Sequence, residues 1–172
     1  MERIETTAIR NLIHNEEYCR KVLPFIKEEY FIDRLEKLIF TEIYKFVNKY
    51  NNLPTKESLS IEMNTNKGVS EDEYKKMNEI ISSLNPEPIN LDWLVETTEV
   101  WCKDRAIHNA ILGGIQILDG KDKDHTPEYL PEMLTEALSV SFDQKVGHDY
   151  LLESKERYEY YNRKEERLEL DL

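Results

Sequence analysis

Glycine, proline and cysteine are scarce in this 172-residue sequence, and it contains no long apolar run. Five glycines and six prolines favour long helices over a loop-rich fold. The two cysteines, Cys19 and Cys102, form neither a C-x-x-C pair nor a disulfide framework, which indicates a reducing, cytosolic setting. No apolar stretch approaches the ~20 residues of a membrane span, and the first residues lack the apolar core of a signal peptide. We therefore expect a cytoplasmic protein.

Charged residues are abundant, and most of them are acidic. The sequence has 35 Asp and Glu against 23 Lys and Arg, which gives a formal net charge of -12. With 34% charged and 40% hydrophobic residues, the chain is expected to fold rather than stay disordered. Because duplex DNA is bound mainly through Lys and Arg on its phosphates, we expect weak or no direct nucleic-acid binding by this chain.

The spacing of apolar residues predicts an all-α fold that begins with a small helical head. Short helices are expected over residues 5–13 and 15–23, the second of them capped by Asn15. The clearest pattern, with apolar residues three and four apart, covers 33–50. Thr55 caps a further short helix, and Ser70 with Glu73 forms an S-x-x-E capping box that opens another. Two prolines at 86 and 88 end that helix, so we expect the head to span residues 1–89.

A helical hairpin is expected to follow the head, over residues 90–142. Asn90 caps a helix that runs to Leu118 and is ended by Gly120. Thr126-Pro127 starts a second, antiparallel helix that continues to residue 142. The first of these helices is apolar on more than one side, so it needs more than one partner. We predict that the hairpin stands outside the head and meets another subunit. The predicted interface residues are Trp93, Val100, Ile107, Ile111, Ile115, Leu130 and Leu134.

Residues 143–172 are expected to form a joint and a linker helix. Gly147 supplies a flexible backbone position, and Asp149 is a favourable N-cap for the helix that follows. One stripe of that helix is predicted to dock on a partner protein, through Leu151, Tyr158, Tyr161 and Leu168. Stacking of its tyrosines on single-stranded bases is an alternative, but acidic residues outnumber basic ones in this segment.

No catalytic, cofactor-binding or metal-binding residues are predicted. His148-Asp149 is interpreted as a turn and an N-cap, and the other histidines share no ligand spacing with a second His or Cys. Cys102 is interpreted as a packing residue, and Trp93 and Trp101 as core or hairpin contacts. Gly113-Gly114 leaves two alternatives open, a close helix crossing or fraying toward the hairpin tip.

Three groups of residues carry a family resemblance. The chain resembles the N-terminal part of the DnaB-type hexameric replicative helicases, in particular those of T-even-like phages. The first group is Trp93-Leu94-Val95 with Thr98, Glu99, Arg105-Ala106 and Asn109-Ala110. The second is the run from Ala137 to Asp143 with Val146 to Asp149, and the third is Glu29-Tyr30-Phe31.

The resemblance implies an assembly role. In that family a helical head carries a protruding hairpin, hairpins of neighbouring subunits pair into a collar, and a linker helix docks on the motor domain of the next subunit. Primase and helicase loader bind the collar and linkers. This sequence contains no G-x-x-x-x-G-K-[ST] loop, so the RecA-like motor, with its ATP and Mg, is expected outside it. A free-standing helical adaptor, such as a helicase loader or inhibitor, and a small helical enzyme are the alternatives.

Overall fold

The computed structural model describes residues 3–66 and 68–142, and within them every regular element is helical. The predicted all-α class is confirmed. None of the helices in these residues is long and apolar enough to cross a bilayer. The α-carbon contacts separate Met1–Phe142 from Asp143–Leu172. The α-helices are α1 (Ile4–His14), α2 (Glu16–Val22), α3 (Arg34–Tyr50), α4 (Lys56–Thr65), α5 (Glu71–Ser83), α6 (Leu91–Leu118) and α7 (Leu130–Leu138), with 3-10 turns at Glu28–Tyr30 and Pro127–Tyr129.

Side-chain caps begin several of these helices where the sequence predicts them. The Asn15 side chain accepts the backbone N–H of Tyr18 at 3.0 Å, and that of Asn90 accepts the N–H of Trp93 at 2.8 Å. Thr55 and Ser70 each close a reciprocal capping box. These bonds satisfy backbone donors that have no partner inside the helix.

Gly120 ends α6 in the left-handed region, at φ 69°. The N–H of Lys121 donates to the carbonyl of Gln116 at 2.9 Å, and the N–H of Gly120 donates to that of Ile117 at 3.0 Å. This pair of bonds is a Schellman motif, which satisfies the last carbonyls of the helix. The predicted end of the long helix is therefore confirmed, together with the reason for it.

The core lies between α1, α2 and α3, and α4, α5 and the first half of α6 close it. An aromatic cluster joins the 3-10 turn at Glu28–Tyr30 to α3 and α6: the ring of Phe31 lies 4.9 Å from Phe40 and 5.2 Å from Trp101 between centroids. Fully or almost fully buried aliphatic side chains surround this cluster, among them Ala8, Leu12, Val22, Ile39, Ile43, Leu59, Met77 and Leu94.

The expectation that the hairpin stands wholly outside the head is wrong for the first half of α6. Leu94, Thr98 and Cys102 are completely buried in the same core as α1 to α3. Pro86 and Pro88 end α5, but they do not end the head, because the chain turns back and packs three turns of α6 against it. α6 therefore belongs to the head at one end and to the hairpin at the other.

The second helix of the hairpin is shorter than predicted. The proline-led segment Pro127–Tyr129 is a 3-10 turn, and α7 ends at Leu138 rather than at residue 142. Thr126 makes no side-chain cap bond to the backbone; its hydroxyl instead pairs with Glu128 and lowers the pKa of that carboxyl group. Beyond α7, Val140 and Phe142 pack against the head, with the Phe142 ring 4.9 Å from that of Phe25.

Candidate functional site

α6 presents a mainly apolar face with exposed side chains at both ends, and exposed Asp104 and half-buried Ile107 lie between them. At about 100° per residue, the five exposed apolar residues of this face fall within about 40° of one line along the helix. From Trp93 to Leu118 this line is roughly 37 Å long. They do not share the side of α6 that enters the head, where Leu94, Thr98 and Cys102 lie. The exposed fractions are 53% for Trp93, 56% for Val100, 52% for Ile111, 50% for Ile115 and 66% for Leu118.

A buried hydrogen-bond relay fixes the opposite side of α6 to the head. The Thr98 hydroxyl donates to the carbonyl of Leu94 at 2.7 Å, so the Tyr18 hydroxyl is the donor in its 2.7 Å contact with Thr98. Both residues are completely buried. Burial raises the pKa of Tyr18, so the phenol stays protonated and keeps its donor. α6 is thereby held at a set rotation about its axis.

Two further polar contacts tie α6 to the 3-10 turn at Glu28–Tyr30. Arg105 Nε donates to the carbonyl of Tyr30 at 2.9 Å, and Asn109 Nδ2 donates to that of Glu29 at 2.9 Å. The Tyr30 ring meets Trp101 edge-on at 6.2 Å, and burial raises the pKa of Tyr30 to about 12. Several residues that carry the family resemblance therefore meet in space, and together they orient the exposed face.

Side chains of α7 pack directly on the paired glycines of α6. A Cβ placed on Gly114 would lie 3.0 Å from Leu130 Cδ2, and one on Gly113 would lie 3.5 Å from the Met133 sulfur. Gly114 is buried. Of the two alternatives for Gly113-Gly114, the structure supports the close crossing.

The predicted interface residues divide into two groups. Trp93, Val100, Ile111, Ile115 and Leu134 are exposed, whereas Ile107 and Leu130 are half-buried. Leu130 packs on Gly114 within the same chain, so part of its surface is already used.

Three further leucines of the hairpin are exposed but were not among the predicted interface residues. Leu112, Leu118 and Leu138 are 48%, 66% and 57% exposed. Leu118 could have been found, since it lies three residues after Ile115 and thus on the same face. The joint at Gly147 and the predicted docking residues Leu151, Tyr158, Tyr161 and Leu168 lie outside the described residues.

A groove of about 520 Å³ lies where the hairpin meets the head. Its lining mixes apolar groups such as Met133 and Val140 with charges of both signs, including Lys37 and Glu136. In the part of the chain that the structure describes, no three His, Cys, Asp or Glu side chains gather as metal ligands would. Cys102 is buried as a packing residue, and burial raises its pKa and that of Cys19, the latter to about 11.

The geometry defines an all-helical domain that holds a long helix with one face packed and the other free. No protein-family model matches the chain. The chain is 32% identical, over 164 residues, to the DnaB-like replicative helicase of Enterobacteria phage T4. That match covers 91% of this chain and 34% of the phage protein, so the chain spans about a third of the length of its relative. The similarity confirms the resemblance to DnaB-like replicative helicases.

Proposed function

We propose that this chain is the N-terminal collar domain and linker of a phage replicative DNA helicase, and that it assembles subunits and receives partner proteins. The observation that supports the proposal is the exposed apolar face of α6 on a helix whose other face is anchored by Tyr18, Thr98 and Arg105. The similarity to a third of a replicative helicase points to the same role.

The exposed apolar face of α6 is better explained as a binding surface for another subunit than as a chance distribution of apolar side chains. Single apolar side chains on a surface are ordinary, but several of them along one face of a helix mark an interaction site. Behind this row, the relay through Thr98 and the two bonds from α6 to the 3-10 turn fix the rotation of the helix. A partner would thus meet a preorganised surface, which lowers the entropic cost of association.

In this proposal, the catalytic steps belong to another domain. ATP, Mg and strand separation are assigned to a RecA-like motor outside the sequence, and Leu151, Tyr158, Tyr161 and Leu168 are assigned to docking on the motor of the neighbouring subunit. Primase and helicase loader are the expected partners of the collar, in the cytoplasm of a phage-infected bacterium. With a net charge of -12, the chain itself contributes little to DNA binding.

The test is to place a charge on the face and measure assembly. Ile111→Glu and Ile115→Glu each put a carboxylate where the partner would bury it, and an unpaired buried charge is strongly unfavourable. Ile61→Glu is the matched control, because Ile61 is 67% exposed but lies on α4. Sedimentation velocity of the full chain reports association, and circular dichroism reports folding.

We expect Ile111→Glu and Ile115→Glu to shift the chain toward monomer while leaving the helical signal intact, and Ile61→Glu to behave as the parent. If the two hairpin variants lose helix instead, their side chains serve the fold and the proposed surface is wrong. Equal weakening by Ile61→Glu would show that the association does not use α6.

A further inference from the structure

A four-residue strap joins the hairpin to the head. The N–H of Ser139 donates to the carbonyl of Thr135 at 3.0 Å and closes α7. The chain then crosses to the head, where Phe142 stacks on Phe25, with 4.9 Å between the ring centroids and 21° between the ring planes. Residues 139–142 therefore form the strap, and Phe142 attaches its far end to the head.

The contact that holds the strap lies at the surface. Phe25 and Phe142 are both half-buried, whereas Phe31 and Phe40, which stack at the same centroid distance of 4.9 Å, are 4% and 2% exposed. Elements with few buried apolar contacts open locally at a lower free energy than the whole fold. We therefore expect the stack of Phe25 and Phe142 to open while the core stack stays closed.

A groove separates α7 from the head beside the strap. This groove of about 520 Å³ is lined by Met133 and Val140 on the hairpin side and by Tyr30 and Lys37 on the head side. Close-packed protein interfaces contain few voids larger than a water molecule. α7 is thus not close-packed on the head along this groove, so the strap can leave the head while α7 keeps its contacts with α6.

We propose that the strap is a releasable latch that sets where the linker begins. This inference rests on the proposed function, in which residues 143–172 connect the collar to the motor of a neighbouring subunit. While Phe142 is stacked on Phe25, the linker begins at one point on the head. When the stack opens, the four strap residues join the linker and add up to about 14 Å to its reach, at ~3.5 Å for each extended residue.

The latch allows the linker to lengthen without a change in the α6 face. A partner that binds residues 143–172 at a distance favours the open state, because only the open state lets the linker extend to it. α6 stays anchored to the head through Thr98 and Arg105 whether the strap is closed or open. Contacts between collar subunits can therefore persist while the distance between collar and motor varies.

Spin-label distances in the full chain, measured by pulsed electron paramagnetic resonance, test the latch. One label is placed on the head at Lys76→Cys, an exposed position of α5, and the other at Asp143→Cys, the first residue after the strap. The native thiols of Cys19 and Cys102 are buried, so labelling is directed to the two introduced thiols. Dilution with unlabelled chain restricts the measurement to distances within one chain. We expect a narrow distance distribution while the strap is closed.

In the labelled chain, Phe142→Ala should broaden the distribution by up to about 14 Å, the length of the released strap, whereas Phe142→Tyr keeps a ring for the stack and should not. Phe46→Ala is the matched control, because it removes a half-buried ring that lies 4.6 Å from Tyr50 on α3, and it should leave the distribution narrow. Equal distributions in the parent and Phe142→Ala, equal broadening by Phe46→Ala, or a loss of helical circular dichroism in Phe142→Ala would overturn the latch. A latch that opens as expected in a chain that never associates would defeat the collar proposal instead.

Discussion

The anchoring of α6 by Thr98 can be tested by removing that hydroxyl. In Thr98→Val the side chain keeps its branched shape, but the Tyr18 hydroxyl loses its acceptor in a completely buried site. The carbonyl of Leu94 loses only a second donor, because it is within a helix and its α-helical bond remains. The cost is therefore that of one buried donor left without a partner.

The magnitude follows from the asymmetry of hydrogen-bond energies. An orphaned buried donor costs about 1–3 kcal/mol, so Thr98→Val should destabilise the chain by about 2 kcal/mol, or roughly 4–8 °C in Tm for a chain of this size. Tyr18→Phe removes the donor itself and leaves Thr98 bonded to Leu94, so it should cost about 1 kcal/mol. In the double variant nothing is orphaned, so its cost should fall back to about 1 kcal/mol, the value for Tyr18→Phe, rather than reach the ~3 kcal/mol of an additive pair.

Urea unfolding followed by circular dichroism gives all four free energies of unfolding. Measurement at low concentration keeps association from adding to the apparent stability. A double-variant cost equal to the sum of the singles, to within about 0.5 kcal/mol, would refute the coupling. It would mean that the 2.7 Å contact does not join α6 to the head in solution.

Three further outcomes are expected. Gly113→Ala should raise the free energy of unfolding by up to about 1 kcal/mol, because alanine favours helix and the Met133 sulfur at 3.5 Å allows a methyl group. Gly114→Ala should raise the free energy of unfolding less than Gly113→Ala, or lower it, because Leu130 at 3.0 Å must move. Equal effects of the two variants in urea unfolding would contradict the close crossing. Arg34, together with the N–H and hydroxyl of Ser70, holds the pKa of Glu73 at about 2. The contribution of the Glu73 carboxylate to the stability of the fold is therefore complete above the ordinary glutamate pKa and is lost as pH falls toward about 2. The difference in Tm between the parent and Glu73→Gln should thus be constant above about pH 5 and should decrease to zero as pH approaches about 2. A Tm difference that is still present at about pH 2 would exclude the ion pair as its source.

Signals that act within a few residues could be predicted from the sequence. Asn15, Thr55, Ser70 and Asn90 cap the helices as expected, because a cap bonds a backbone N–H two or three residues away. Gly120 ends α6 for an equally local reason, its positive φ.

Features that depend on distant residues could not be predicted in this way. The first half of α6 enters the head because Thr98 meets Tyr18, 80 residues earlier in the chain. α7 ends at Leu138, and four residues later Phe142 stacks on Phe25, a contact with a residue more than 100 positions earlier. Trp93, Val100, Ile111 and Ile115 are exposed and belong to the predicted interface residues, but the sequence indicated only that α6 is apolar on more than one side. Which side of α6 is covered depends on the packing of the head, and periodicity alone does not specify it.

The free face of α6 is proposed to join copies of this chain. The most direct measurement is the mass of the full chain in solution across concentration, without nucleotide. Because the motor is assigned to another domain, assembly through α6 needs no ATP, and sedimentation or light scattering should show dimers or larger particles that dissociate on dilution. A strict monomer at ~100 µM, where contacts of micromolar affinity would be populated, would contradict the claim.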